Sequence, residues 1–245
     1  GLWGGILAYQ TGILDPMSDA QDNKQYTVAN NLATGSRTNP SMRNVNKGSI
    51  DEYSISGGFN IQNILYLGFT IGIQDILYRN DNYYAETYDN NPLPLNGMNY
   101  IRSLHLDGTG VNFKFGAVVR PVENLRIGVA VHTPTLVSIN EEYIEWMSAD
   151  YKNTARGELL DSPRSLNEYD INTPTRLLTG ISYTLPGVGL ITADYERVWY
   201  NRMKLRNMGT ENWDFQQTIH NEVSSFYQPA NNFRVGIEAT PAQNF

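Results

Sequence analysis

Asp194 and Glu196 stand two residues apart in the run Leu190-Ile-Thr-Ala-Asp-Tyr-Glu196. On a strand, residues i and i+2 share a face, so both carboxyls project the same way, at a separation that glycoside hydrolysis could use with side chains ~5–10 Å apart. Any strand with alternate carboxylates meets that condition, and a polar, water-facing wall is the plainer reading. Glu141, Glu142 and Glu145 form a second acidic group that could hold a cation, against the simpler reading of a solvated loop. His105, His132 and His220 lack metal-ligand spacing, and no Gly-rich phosphate loop, Gly-x-Ser-x-Gly elbow or Walker pattern occurs. No catalytic residue, metal site or cofactor is expected, and the chain does not read as an enzyme.

The cations are more informative. Lys114, Arg120, Arg126, Arg176 and Arg234 fall on the polar faces of alternating runs, with Glu52, Asp194, Glu196 and Glu238 as acidic partners. In a closed barrel these side chains point into the lumen, where a charge must be paired or meet water. Two readings stay open. The charges could form an internal salt-bridge lattice that plugs and stiffens the barrel, or an unpaired cation could hold the carboxylate of an amphiphile whose tail lies among apolar residues. The candidate ligand-binding residues are Lys114, Arg126, His132, Arg176 and Arg234, and the acidic partners are Glu52, Asp194, Glu196 and Glu238.

Strands must position this set. In residues 50 to 61, Tyr53, Ile55, Phe59 and Ile61 alternate with Glu52, Ser54, Ser56 and Asn60. Leu65, Leu67, Phe69, Ile71 and Ile73 then share one face. Val111 to Val119 and Leu125 to Val131 repeat the pattern, as do Leu177 to Tyr183, Ile191 to Tyr195 and Phe233 to Ala239. With Leu2 to Gln10 as an earlier strand, about eight strands are expected: 2–10, 50–61, 64–78, 100–120, 125–144, 174–184, 189–204 and 232–240. Short turns recur at Asn60-Ile-Gln-Asn63, Pro121-Val-Glu-Asn124 and Pro241-Ala-Gln-Asn244, while the other links read as polar loops of roughly 25–40 residues. Short turns on one rim and long loops on the other, with apolar faces nine or more residues long, favour an antiparallel transmembrane β-barrel over a sandwich, whose strands average ~5–6 residues. Tyr78, Tyr83, Tyr84, Tyr143, Trp146, Trp199 and Tyr200 gather where strands meet the long links, as interfacial aromatics do. Only Asp214 to Gln228 breaks the pattern, with Phe215, Ile219, Val223 and Phe226 at helical spacing before Pro229.

Composition agrees. A mean hydropathy of −0.42 and no run near ~20 apolar residues exclude a helical membrane protein, while barrel strands need apolar residues only at alternate positions. A net charge of −7 without a basic cluster argues against nucleic acid as a partner. The absence of cysteine rules out disulfide and thiolate-metal designs. No linker divides the 245 residues, so a single β-barrel domain is expected.

Residues 110 to 135, Gly-Val-Asn-Phe-Lys-Phe-Gly-Ala-Val-Val-Arg-Pro-Val-Glu-Asn-Leu-Arg-Ile-Gly-Val-Ala-Val-His-Thr-Pro-Thr, closely resemble a hairpin of the FadL/TodX-type outer-membrane transporters. Gly48 to Tyr53, Leu65 to Asp75, Thr173 to Tyr183 and Asn232 to Pro241 also look like that family. The resemblance implies a porin-like barrel of roughly fourteen strands in the Gram-negative outer membrane, with an N-terminal hatch in its lumen. It also implies passive inward diffusion of long-chain fatty acids or other hydrophobic molecules, with outer-membrane lipid around the wall. It places a kinked third strand at Ile64 to Tyr78, where Gly68 and Gly72 would permit a bend. Against that pattern no hatch segment precedes Gly1 and the C-terminal strands are missing, so a chain incomplete at both ends is expected. The rival expectation is a structural or adhesive barrel with a salt-bridged lumen and surface-binding loops.

Overall fold

The computed structural model describes residues 2–17, 25–152, 159–206 and 213–240. In chain order the elements are α1 (Trp3–Gln10), β1 (Asp15–Pro16), β2 (Tyr26–Thr27), β3 (Arg37–Ile61), β4 (Leu65–Asp89), β5 (Leu95–Val122), β6 (Leu125–His132), β7 (Leu136–Tyr151), β8 (Leu160–Asp161), β9 (Ser165–Asn172), β10 (Arg176–Leu185), β11 (Gly189–Val198), a 3-10 turn (Tyr200–Arg202), β12 (Lys204–Arg206), α2 (Trp213–Phe226) and β13 (Ala230–Ala239). The protein is all-β and antiparallel. β1 and β2 pair with each other, and the other eleven strands form one sheet in which β5 pairs with β4, β6 and β7. Among the described residues β3 pairs with β4 alone and β13 with β11 alone.

Two expectations need correction. Leu2 to Gln10 is not a strand: Trp3–Gln10 is helical, and its short apolar run, ambiguous in period, settles by burying Leu7 and Ala8. The polar stretches read as loops of one rim are in part strand. β3, β4, β5 and β7 continue through them, leaving only residues 90–94 between β4 and β5. These stretches are polar on both faces, which removes the contrast that marks a strand in sequence, while ladder pairing still satisfies their backbone. The helix expected over Asp214 to Gln228 is present as α2, and the turn at Pro241 to Asn244 lies outside the described residues.

The chain divides into two compact units. The first comprises Gly1–Ser49, Leu77–Leu106 and Glu141–Asn167. Its core gathers Leu7, Ile13, Tyr88, Leu95, Met147 and Tyr151, so α1 and the segment after it fill the space against β4, β5 and β7. Asn91 ties that segment down. It accepts from the Ala33 N–H at 3.1 Å, and its amide donates to the carbonyls of Asn31 at 2.9 Å and Leu95 at 2.8 Å.

The second unit comprises Ile50–Ile76, Asp107–Asn140 and Glu168–Phe245. Tight turns fix its registers. Gln62 and Asn63 both have positive φ, as a two-residue hairpin turn of I′ type requires, and the Asn60 side chain accepts from the Asn63 N–H at 2.9 Å. Between β10 and β11, Pro186 and Gly187 (φ 73°) make the turn, closed by the Val188 N–H on Leu185 O at 3.0 Å. Two Thr-Pro-Thr interruptions lie side by side, ending β6 at Thr133-Pro134-Thr135 and preceding β10 at Thr173-Pro174-Thr175. Proline interrupts the ladder, and the neighbouring threonine hydroxyls accept backbone N–H groups there: Phe113 N–H donates to Thr133 Oγ1 at 2.9 Å, and Thr135 N–H to Thr173 Oγ1 at 2.8 Å. The expected strand over 125–144 is therefore two strands, β6 and β7.

One face of this unit's sheet is apolar and open. Phe59, Phe69, Phe115, Val129, Ile181, Ile191, Val235 and Ile237 are all exposed on it. On β3 and β4 the apolar run ends at Asp51 and Asp75, and on β5 it begins at Val111 after Asp107 and Thr109. An apolar face of this extent marks a surface of interaction.

Candidate functional site

Period-two alternation places the sequence-derived candidates on the opposite, polar face, and antiparallel register brings most of them together. Lys114 on β5 is opposite His132 on β6, and His132 is opposite Arg176 on β10. On β11, Glu196 is opposite Asn232 and Asp194 is opposite Arg234 of β13. Lys114, His132, Arg176, Asp194, Glu196 and Arg234 thus form one belt across five strands, joined by Glu52 from β3.

The belt is unevenly paired. Glu52 takes the Lys114 ammonium and also accepts from Gln74 Nε2 at 2.8 Å and Asn112 Nδ2 at 3.2 Å. Glu196, 8% exposed, accepts from Arg234 Nη2 at 2.9 Å and Asn232 Nδ2 at 3.2 Å. Arg176 reaches the other Glu196 oxygen only at 3.8 Å and keeps half its side chain exposed. Three permanent cations therefore share two carboxylates that are already engaged. Asp194 makes no ion pair among the described residues; its carboxyl lies over Gly180, where a Cβ would sit 2.5 Å from Oδ1. Arg126 and Glu238 stand apart from the belt, Arg126 opposite Ser182 and Glu238 opposite Leu190 near the β10–β11 turn.

Beside the belt runs an open groove of about 680 Å³, lined by Lys114, His132, Asp194, Glu196 and Arg234. Its floor is Gly68, Gly116, Gly128, Ala130 and Gly180, residues too small to fill the sheet's polar face. A Cβ at Gly116 or Gly128 would make only ordinary contacts, at 3.7 and 3.5 Å. Such a trough, lined by both signs of charge along one side and smooth along its floor, can take an elongated ligand with a charged end.

Reading the sequence alone missed Asn112 and the glycine floor. Asn112 is buried, and its Oδ1, without a hydrogen-bond partner, sits where a Cβ on Gly72 would approach to 2.8 Å. Its period-two position beside Lys114 was the available signal. The glycines were visible too, all on the polar face, but only the register shows that they adjoin.

The acidic group of the first unit does not converge on a cation. Glu142 pairs with Arg164 at 3.0 Å, Glu141 accepts from Asn167 Nδ2 at 3.1 Å, and Glu145, 2% exposed, accepts from the Tyr100 and Tyr143 hydroxyls at 2.6 and 2.8 Å. Burial and the Glu145 hydrogen bond push the Tyr143 phenol up to about 12, and burial with Glu86 beside it raises that of Tyr88. Among the described residues no three His, Cys, Asp or Glu side chains are placed to hold a metal.

Set against known proteins, the chain matches no family model, no curated protein and no solved structure.

Proposed function

We propose that this chain builds the wall of an outer-membrane β-barrel that passes hydrophobic molecules with an anionic end, such as long-chain fatty acids, by passive diffusion and without covalent chemistry. The observation that carries this is the two-faced sheet of the second unit: an exposed apolar face nine residues deep on β4, Leu65 to Ile73, backed by a charged, grooved polar face. Nine residues suit a bilayer crossing, for which a tilted strand needs ~9–11. Charge is confined to one face, as a barrel wall between lipid and a wet lumen requires. On this reading the spanning segments are 53–61, 65–73, 111–122, 125–132, 177–185, 189–195 and 233–239. The short turns at Gln62–Asn63, Glu123–Asn124 and Pro186–Val188 mark the periplasmic rim. The likeness of residues 110 to 135 to FadL/TodX-type transporters agrees with this reading, and Arg176, with the loosest ion pair of the belt, is the cation freest to receive a ligand carboxylate.

The test is native mass spectrometry of the protein extracted from its own membrane in mild detergent. A retained fatty acid or similar amphiphile, lost in Arg176→Ala, is the expected result. A folded protein that stays monodisperse in detergent-free buffer and retains nothing would overturn it. The structural or adhesive barrel is the second reading, favoured by the Lys114–Glu52 and Arg234–Glu196 pairs, which would lock the lumen. It predicts an empty protein whose Arg176→Ala variant is unaltered.

A further inference from the structure

We infer that the apolar face carries a discrete site for a phosphorylated lipid of the outer leaflet, its phosphate held by Arg197 and Arg202 and its acyl chains lying in the grooves beside them. This rests on the membrane reading above. Arg197 continues the apolar face of β11, two residues beyond Tyr195 and four beyond Ala193, at the end of the strand remote from the Pro186–Gly187 turn. That is the end facing the outer leaflet. The guanidinium of Arg197 lies 5.5 Å from the centroid of the Trp199 ring, and that of Arg202 lies 5.6 Å from the same centroid. Two like charges have been gathered on one indole, and among the described residues neither is ion-paired. The Arg197 Nε is buried without a hydrogen-bond partner. With Nε covered, the donors Arg197 can offer a ligand are its terminal nitrogens, and Arg202, on the same indole, is exposed; guanidiniums take a phosphate through paired N–H···O bonds.

The space beside this pair says which phosphate. An apolar groove of about 550 Å³ runs over Ala193 and Thr179, between Ile127 and Val235, and Tyr195 and Phe233 line it. Those two rings are in contact, with centroids 4.8 Å apart. A second groove of about 480 Å³, lined by Phe59, Phe69 and Phe115, shares Ala117 and Val129 with the first. Short side chains between tall ones thus make two adjoining troughs, and the first reaches Tyr195, two residues before Arg197 on the same strand. A free anion has no use for the troughs and a neutral lipid has none for the arginines; a phosphorylated lipid uses both.

The experiment inserts the purified protein into phosphatidylcholine vesicles containing either lipid A or lipid A with its phosphates removed. Insertion is scored first, and retained lipid is then read by native mass spectrometry. Inserted wild type should retain the phosphorylated form over the dephosphorylated form by on the order of tenfold. Arg197→Gln combined with Arg202→Gln should bring that ratio to about one, and the corresponding Lys pair should recover part of it. Inserted wild type without a preference overturns the site and leaves the membrane reading intact, as does a Gln pair that keeps the preference. Displacement by inorganic phosphate as readily as by lipid would overturn it in favour of a free-anion site. Failure of the wild type to insert overturns the membrane reading and this site with it. If the Gln pair alone fails to insert, the wild-type preference decides.

Discussion

Arg234 donates from Nη2 to Glu196 Oε2 at 2.9 Å across the β11–β13 ladder, and this contact leaves Arg176, 3.8 Å from the other oxygen, as the belt cation with the weakest hold on a carboxylate. Glu196 therefore sets how much positive charge the groove offers. Glu196→Gln keeps the shape and hydrogen-bonding reach of the side chain while releasing two guanidiniums, so affinity for a fatty-acid anion should rise. Arg176→Ala should lower it. Both arginines are at least half exposed, so each lost pair should cost no more than about 1 kcal/mol of stability. Isothermal titration with a fatty acid in detergent checks the signs; equal affinities in the two variants would remove the belt from ligand binding.

The glycine floor gives a steric test. Gly128 tolerates a Cβ at 3.5 Å from its nearest neighbour and has no left-handed backbone angle, so Gly128→Leu should fold and project an isobutyl group into the groove. Uptake of a long-chain ligand should fall severalfold while heat-modifiable migration on a gel, a sign of barrel assembly, is kept. Undiminished uptake would place the ligand path elsewhere.

How far the sequence announced this arrangement depended on contrast between strand faces. Leu65 to Ile73 and Val111 to Val119 alternate sharply, and their strands and faces were legible residue by residue. Asn80 to Asp89 and Leu95 to Asn99 carry polar residues on both faces, so the same strands lost their signal there and read as a loop. α1 was misread for the opposite reason: Ile6, Leu7, Ala8 and Tyr9 are all apolar, and a run so short has no period to measure. Of the candidate site, the members of the belt share a face by period two, which sequence supplies. Their adjacency depends on cross-strand register, set by the turns at Gln62–Asn63 and Gly187, and that information is not local to the charged residues. Arg126 and Glu238 show the consequence, since they have the right face and the wrong level.

Alkaline pH should loosen the first unit. Tyr143 is held neutral up to about 12 by burial and by donation to Glu145, and Tyr88 is raised by burial and Glu86. A phenol ionises near 10 when unfolded, so the stabilisation from these groups is complete below pH ~10 and is lost as pH rises through the folded values. The midpoint of urea denaturation should therefore fall between pH ~10 and ~12. Glu145→Gln, which removes the anionic acceptor, should bring the Tyr143 tyrosinate absorbance step to lower pH. A step that does not move would mean that the hydrogen bond to Glu145 contributes little to the shift.

The decisive prediction concerns the exposed apolar face. Val129 sits in the middle of β6 on that face, 45% exposed, with Ala117 of β5 and Thr179 of β10 as its cross-strand neighbours. If the face meets water, Val129→Arg replaces an unfavourably hydrated side chain by a soluble one and stability should change by about 0.5 kcal/mol or less. If it meets lipid near the midplane, the guanidinium must snorkel past two or more apolar rows, and the cost should be ~2–4 kcal/mol. Reversible unfolding in lipid vesicles, with Ala239→Arg at the exposed end of β13 on the same face as a shallow control, separates these cases. A large cost at Val129 with a small one at Ala239 is the outcome expected of a membrane wall. Equal and small costs at both would return this face to an aqueous or protein interface.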